Sequence, residues 1–140
     1  MELVSGAHIK YQLFYHLEWT PKCRYKIFQQ EKYKYDYEEI LKIVARRHGI
    51  DIKEMAVMPD HIHLLVSAPP SMSASKALNL LKGGSSHDFF HLHPIFRKRY
   101  PRGHLLSAGK FCRSVGDVDF ETTRDYVREQ AQQATLDPFL

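Results

Sequence analysis

This 140-residue chain has little with which to cross-link itself or to enter a membrane. Its two cysteines, Cys23 and Cys112, lie far apart and form no C-x-x-C pair. No disulfide framework is suggested, and free thiols in a reducing cytoplasm are expected. No apolar run approaches the ~20 residues of a membrane span, so no membrane partner is expected. There is no charged start followed by an apolar h-region, so no secretory signal is expected either. No repeat, linker or low-complexity segment argues for a second domain. The length suits one domain over 1–140, with one real core.

Acidic residues are outnumbered, but mildly: 16 Asp and Glu against 20 Lys and Arg give +4, with a pI near 9.1. Nine histidines add latent positive charge. The distribution says more than the sum. Lys22, Arg24 and Lys26 form one cluster; Arg97, Lys98, Arg99 and Arg102 form another around Tyr100. Cations interleaved with aromatics suit phosphates and unstacked bases, although either cluster alone reads equally well as a solvated loop.

Residues 8–19 are rich in β-branched, aromatic and apolar types and read as a strand. Asp36 and Glu39 have capping-box spacing, and Tyr37, Ile40, Leu41, Val44 and Ala45 recur as one helical stripe that Gly49 ends. Residues 50–57 and 61–68 read as strands joined by a tight turn at Met58-Pro59-Asp60. Ser71 or Ser73 caps a second helix whose face is Ala74, Ala77, Leu78 and Leu81. The phase continues through Gly83-Gly84 to about Phe90 despite the cost of glycine in a helix. Residues 103–115 read as a last strand region, and Asp117 or Asp119 opens a final helix to about Ala134. The order predicts an α+β, ferredoxin-like (RRM-like) βαββαβ antiparallel sheet with helices on one face, plus a C-terminal helix.

The chemistry concentrates in two places. His61 and His63 flank Ile62 on a strand, so both imidazoles project from one face while Ile62, Leu64 and Val66 point to the other. Such a pair can grip one metal ion if a third ligand arrives from elsewhere. On the last helix, Tyr126 and Gln130 stand one turn apart, away from the stripe of Phe120, Val127, Ala131 and Ala134. The Gln130 amide completes a three-ligand site with open positions, suited to Mg²⁺ or Mn²⁺ bridging to a phosphate, although two histidines are unusual for Mg²⁺. Tyr126 is then placed as an oxygen nucleophile that would form a phosphotyrosine. A second His-x-His, His91 and His93, falls at a helix end where i and i+2 side chains diverge, and reads as surface or DNA-facing. His87 and His91 are one turn apart but have no evident third ligand. Asp60 reads mainly as a turn former, with support of His61 as a lesser option.

Four stretches together resemble the single-tyrosine HUH transposases of the TnpA type, found in small insertion sequences that move as single-stranded DNA. Met-Pro-Asp-His-Ile-His-Leu-Leu-Val at 58–66 is similar to the family's histidine–hydrophobic–histidine metal motif. Lys-Gly-Gly-Ser-Ser at 82–86, Phe-Cys-Arg-Ser-Val-Gly at 111–116 and the Tyr-x₃-Gln of 126–130 resemble its other blocks. The chain departs at Lys110 and Leu106, where family members often carry aromatics. The resemblance implies that Tyr126 attacks the scissile phosphate of single-stranded DNA, keeps the 5′ end and releases a 3′-OH. It also implies subterminal hairpins as the recognised DNA and a homodimer whose site can be completed in trans. Lys82 and Arg113, within these blocks, join the two basic clusters as candidate DNA contacts. Other readings are a domesticated relative acting as a hairpin-binding endonuclease, and a non-catalytic RRM-like binding module with structural histidines.

Overall fold

The computed structural model describes residues 4–5, 10–11, 13–22, 25–98, 105–106 and 111–136. Strands β1 (Phe14–Trp19), β2 (Asp51–Met58), β3 (His61–Ser67) and β4 (Phe111–Val115) form one sheet in the order β2-β3-β1-β4. Every neighbouring pair is antiparallel. Helix α1 (Glu31–Arg47) joins β1 to β2, α2 (Ala74–Leu92) lies between β3 and β4, and α3 (Asp117–Leu136) follows β4. This is the expected ferredoxin-like arrangement.

The strand period sorts side chains onto two faces. Tyr15, Leu17 and Trp19 of β1, with Ile62, Leu64 and Val66 of β3, meet α1 and α2 in the main core. The other face is not left to water. Phe14, Leu65 and Val115 pack on Phe120 of α3, and Ala56 and Met58 pack on Val127, with Ala131 alongside. β3 is therefore covered on both sides, and six of its seven residues are buried. A register shift between Ile52 and Glu54 of β2 keeps both faces consistent: Ile52 turns to the main core while Glu54, opposite Leu65, turns to α3.

α1 and α2 approach closely. A Cβ on Gly84 would lie 2.6 Å from Val44 Cγ1. Beside this contact runs a buried polar chain: Trp19 Nε1 donates to Tyr37 Oη at 3.0 Å, and Tyr37 Oη bonds Ser85 Oγ at 2.9 Å. The Lys-Gly-Gly-Ser-Ser stretch thus contributes to helix packing through Gly84 and Ser85.

Two boundaries differ from expectation. In the sheet, β1 begins only at Phe14, while Lys10–Tyr11 pairs with Val4–Ser5 instead. Its partner explains this: Phe14 pairs with Ser67, Ala68 N donates to Leu13 O, and the prolines at 69 and 70 offer no further N–H. α1 begins at Glu31, a turn and a half before the Asp36 box, and its N-cap Gln30 makes no side-chain cap bond. Asp36 bonds His93 Nε2 at 2.7 Å instead, so His93 is a half-buried packing residue rather than a freely exposed surface one. Of the strand region expected over 103–115, Phe111–Val115 is a strand, while 103–104 and 107–110 lie outside the described residues. Elsewhere the expectations hold: Ser73 caps α2 by accepting from Lys76 N, α2 runs through both glycines, and Gly49 (φ +69°) stops α1.

Candidate active site

The histidine pair lies on the face of the sheet that α3 crosses. Pro59 and Asp60 turn β2 into β3, and His61 and His63 open the new strand. Their rings stand 5.0 Å apart, nearly perpendicular. His63 is 3% exposed because β1 and β2 flank it in the sheet, where it pairs with Glu18 and Ala56.

α3 brings Tyr126 to this pair within one chain. Phe120 and Val127 anchor the helix at two places on the sheet, and Arg128 adds a bond from Nε to Glu54 Oε1 of β2 at 3.0 Å. Between the anchors, the Tyr126 ring lies 5.5 Å from His63 and 6.0 Å from His16, edge-on to both, and remains 44% exposed. Gln130 is one turn on and half-buried. The structure therefore unites His61, His63 and Tyr126, and places Gln130 one turn from Tyr126 on the same helix.

Burial sets the electrostatics. Desolvation, helped by neighbouring His61 and His16, lowers the His63 pKa to about 4, so the ring is neutral at neutral pH. Burial and the Arg113 guanidinium push His16 down as well. The Nδ1 atoms of the pair are engaged within the protein: His61 Nδ1 lies 2.9 Å from Asp60 Oδ1, and His63 Nδ1 lies 3.4 Å from His16 Nε2 and 3.7 Å from Glu18 Oε2. Adjacent imidazoles on one strand face with Nδ1 held suit the histidine ligands of a divalent cation, so the residues present fit such an ion. Among the described residues no three His, Cys, Asp or Glu side chains could hold an ion by themselves. The Gln130 amide on α3 is an oxygen donor of another type.

Sequence reasoning passed over His16 and Glu18. With Phe14 they are the α3-facing positions of β1, and only the β1–β3 register sets Glu18 opposite His63. Two polar residues at i and i+2 in an otherwise apolar strand were the available signal. Asp60, read mainly as a turn former, also bonds His61.

The candidate DNA contacts scatter. Arg113 lies opposite His16 on β4, where its Nη2 donates to Thr123 Oγ1 of α3 at 3.4 Å, beside the site. Lys82 is half-buried on α2, which packs on the opposite face of the sheet. Lys22 donates its backbone N–H to Leu105 O, and Lys26 lines a cavity of about 250 Å³ with Tyr33, Ile95 and Phe96. Only the backbone of Arg97 and Lys98 is described, in a 3₁₀ turn over Pro94–Lys98. Arg24, Arg99 and Arg102 lie outside the described residues.

Comparison with known proteins agrees with the motifs. The model of the family described as "Transposase IS200 like" matches residues 9–130. The ISDra2 transposase TnpA of Deinococcus radiodurans is 30% identical over 130 residues, covering 93% of this chain and 92% of that protein. The transposase of insertion sequence IS200 from Salmonella typhimurium is 29% identical, covering 92% and 84%. A crystal structure of a transposase from Deinococcus radiodurans superposes with a TM-score of 0.72 at 27% identity, covering 93% of this chain and 98% of that one. A REP-associated tyrosine transposase bound to a REP hairpin shares the fold, with a TM-score of 0.63 at 16% identity, covering 99% and 81%. The chain belongs to the family of IS200-like transposases, of the TnpA type that its four motifs resemble.

Proposed function

We propose that this transposase cuts and rejoins single-stranded DNA through Tyr126. Tyr126 Oη bonds to the scissile phosphorus as the P–O3′ bond breaks; the 5′ end stays on the enzyme as phosphotyrosine, and the 3′ oxygen leaves as a hydroxyl, taking up the proton the phenol gives. Attack by a 3′-OH on the phosphotyrosine reverses these bonds and seals a new junction. The observation that carries this reading is the placement of a half-exposed Tyr126 ring 5.5 Å from the buried His63.

His61, His63 and Gln130 would hold a divalent cation, Mg²⁺ or Mn²⁺, whose chemistry is to polarise phosphoryl oxygens and stabilise the charge that develops there. The chain's own residues do the rest. β3 holds the imidazoles rigidly, Asp60 orients His61, and the α3 anchors present Tyr126 to the phosphate while leaving it open to a strand. Arg113 is placed beside the site to meet DNA phosphate. The substrate is a single strand bearing subterminal hairpins, a reading supported by the hairpin bound to the REP-associated relative. The working unit is a homodimer with either tyrosine able to serve either site; in the described chain Tyr126 stands at its own histidines.

The test is a labelled hairpin-bearing single strand incubated with the protein and Mn²⁺. A protein–DNA adduct that survives denaturation should form, and Tyr126→Phe should lose it while remaining folded. An adduct that persists in Tyr126→Phe refutes the nucleophile assignment. Cutting without rejoining would point to the endonuclease reading instead.

A further inference from the structure

His16 is the group in the site to which the proposed chemistry gives no task. It is 6% exposed, its ring lies edge to edge with that of His63, near-parallel (23°) with centroids 5.6 Å apart, and the rings of Phe111 (5.3 Å) and Tyr126 (6.0 Å) stand edge-on around it. Its Nε2 lies 3.4 Å from His63 Nδ1, while its own Nδ1 is buried with no hydrogen-bond partner among the described residues. A buried polar atom left unpaired costs ~1–3 kcal/mol, and an apolar ring would fill the same space without that cost. The imidazole therefore calls for a reason beyond packing.

The His16–His63 contact admits two proton arrangements. Either His63 donates Nδ1–H to His16 Nε2, or His16 donates Nε2–H to His63 Nδ1. Glu18 decides between them. Its Oε2 lies 3.7 Å from the same His63 Nδ1, and a carboxylate favours an N–H there over a lone pair. That N–H meets His16 Nε2, 3.4 Å away, as its acceptor. With the proton on Nδ1, His63 keeps a lone pair on Nε2.

We propose that His16 is a positioning residue: by accepting the Nδ1–H of His63, it holds that ring in the tautomer whose Nε2 can ligate a divalent cation. Asp60, 2.9 Å from His61 Nδ1, does the same for the other ring. The two ligands are thus supported differently, His61 by a carboxylate from its own turn and His63 by an imidazole from the neighbouring strand, with Glu18 behind. The unpaired Nδ1 of His16 is the cost of this arrangement. The inference rests on the reading of His61 and His63 as metal ligands.

Two measurements test it. In the metal-free wild-type protein, a long-range ¹H–¹⁵N spectrum should place the His63 proton on Nδ1; a proton on Nε2 overturns the proposal without any variant. In calorimetric titration with Mn²⁺, His16→Phe, which keeps an aromatic ring but no acceptor, should weaken binding by roughly 10–100-fold. His16→Gln, whose amide oxygen can accept the same hydrogen, should stay within about threefold of wild type. Saturating Mn²⁺ should restore DNA adduct formation in His16→Phe. A folded His16→Phe that binds Mn²⁺ as tightly as wild type overturns the role of His16 alone, whereas wild-type protein that binds no Mn²⁺ overturns the metal reading and this proposal with it.

Discussion

Gly83 and Gly84 are neighbours in α2, yet alanine at each should move stability in opposite directions. A Cβ on Gly83 meets nothing within 4 Å, so Gly83→Ala gains only the helix-propensity difference of ~0.8–1 kcal/mol. A Cβ on Gly84 would lie 2.6 Å from Val44 Cγ1, 3.3 Å from Cγ2 and 3.5 Å from Cβ. Val44 is fully buried on α1 and, being β-branched, cannot easily rotate away. Forcing α1 and α2 apart costs about 1–3 kcal/mol, which offsets the same propensity gain and leaves Gly84→Ala net destabilised by up to about 2 kcal/mol. The two variants should therefore differ by about 1–3 kcal/mol, or several degrees in Tm at roughly 3–4 °C per kcal/mol for a chain of this size. Thermal or urea unfolding followed by circular dichroism measures both. Val44→Ala should lessen the harm of Gly84→Ala, and the coupling in that double-mutant cycle identifies the contact. If Gly84→Ala is as stable as Gly83→Ala, the close helix approach is not there, and the glycines of the Lys-Gly-Gly-Ser-Ser stretch need a different explanation.

Other substitutions probe other parts of the molecule. Tyr37→Phe removes the partner of the buried Trp19 Nε1 and should cost about 1–3 kcal/mol in unfolding experiments, with no change of fold. Asp60→Ala should leave the fold intact but weaken Mn²⁺ binding by roughly 10–100-fold in calorimetry, because His61 loses the carboxylate on its Nδ1. The metal-free protein should lose stability as pH falls. The unfolded His63 takes a proton near 6.5 and the folded ring only near 4, so its contribution is fully present above 6.5 and disappears between those values. Burial of the neutral ring accounts for up to about 3 kcal/mol of that loss by linkage. A urea series in EDTA from pH 7.5 to 4 (roughly the window of the linked proton) measures it, and a midpoint that stays flat over that range would contradict a buried neutral His63.

Periodicity carried most of the architecture. The α1 stripe of Tyr37, Ile40, Leu41, Val44 and Ala45 is buried as its spacing predicts. The Pro59-Asp60 turn, the Ser73 cap and the Gly49 stop are local chemistry and fall where local rules put them. The start of α1 was not legible. Asp36 has the form of an N-cap, but the helix was already under way at Glu31, and tertiary packing gave the carboxylate to His93. The extent of β1 was not legible either, because it depends on where its partner runs out of N–H groups at the prolines after Ser67.

What the sequence by itself determined is which side chains travel together. Alternation puts His61 and His63 on one face of β3, and the helical repeat stacks Tyr126 with Gln130. These facts need only the geometry of one element. Which face α3 covers was decided by the whole fold. Phe14, Leu65, Ala56, Met58 and Val115 leave an apolar surface on the histidine side, and Phe120 and Val127 bury it. That docking puts Tyr126 over the pair. The register of β1 against β3 then sets Glu18 opposite His63 and brings His16 against its Nδ1. No local pattern encodes a register between strands more than forty residues apart; it follows from burying both faces of the sheet at once.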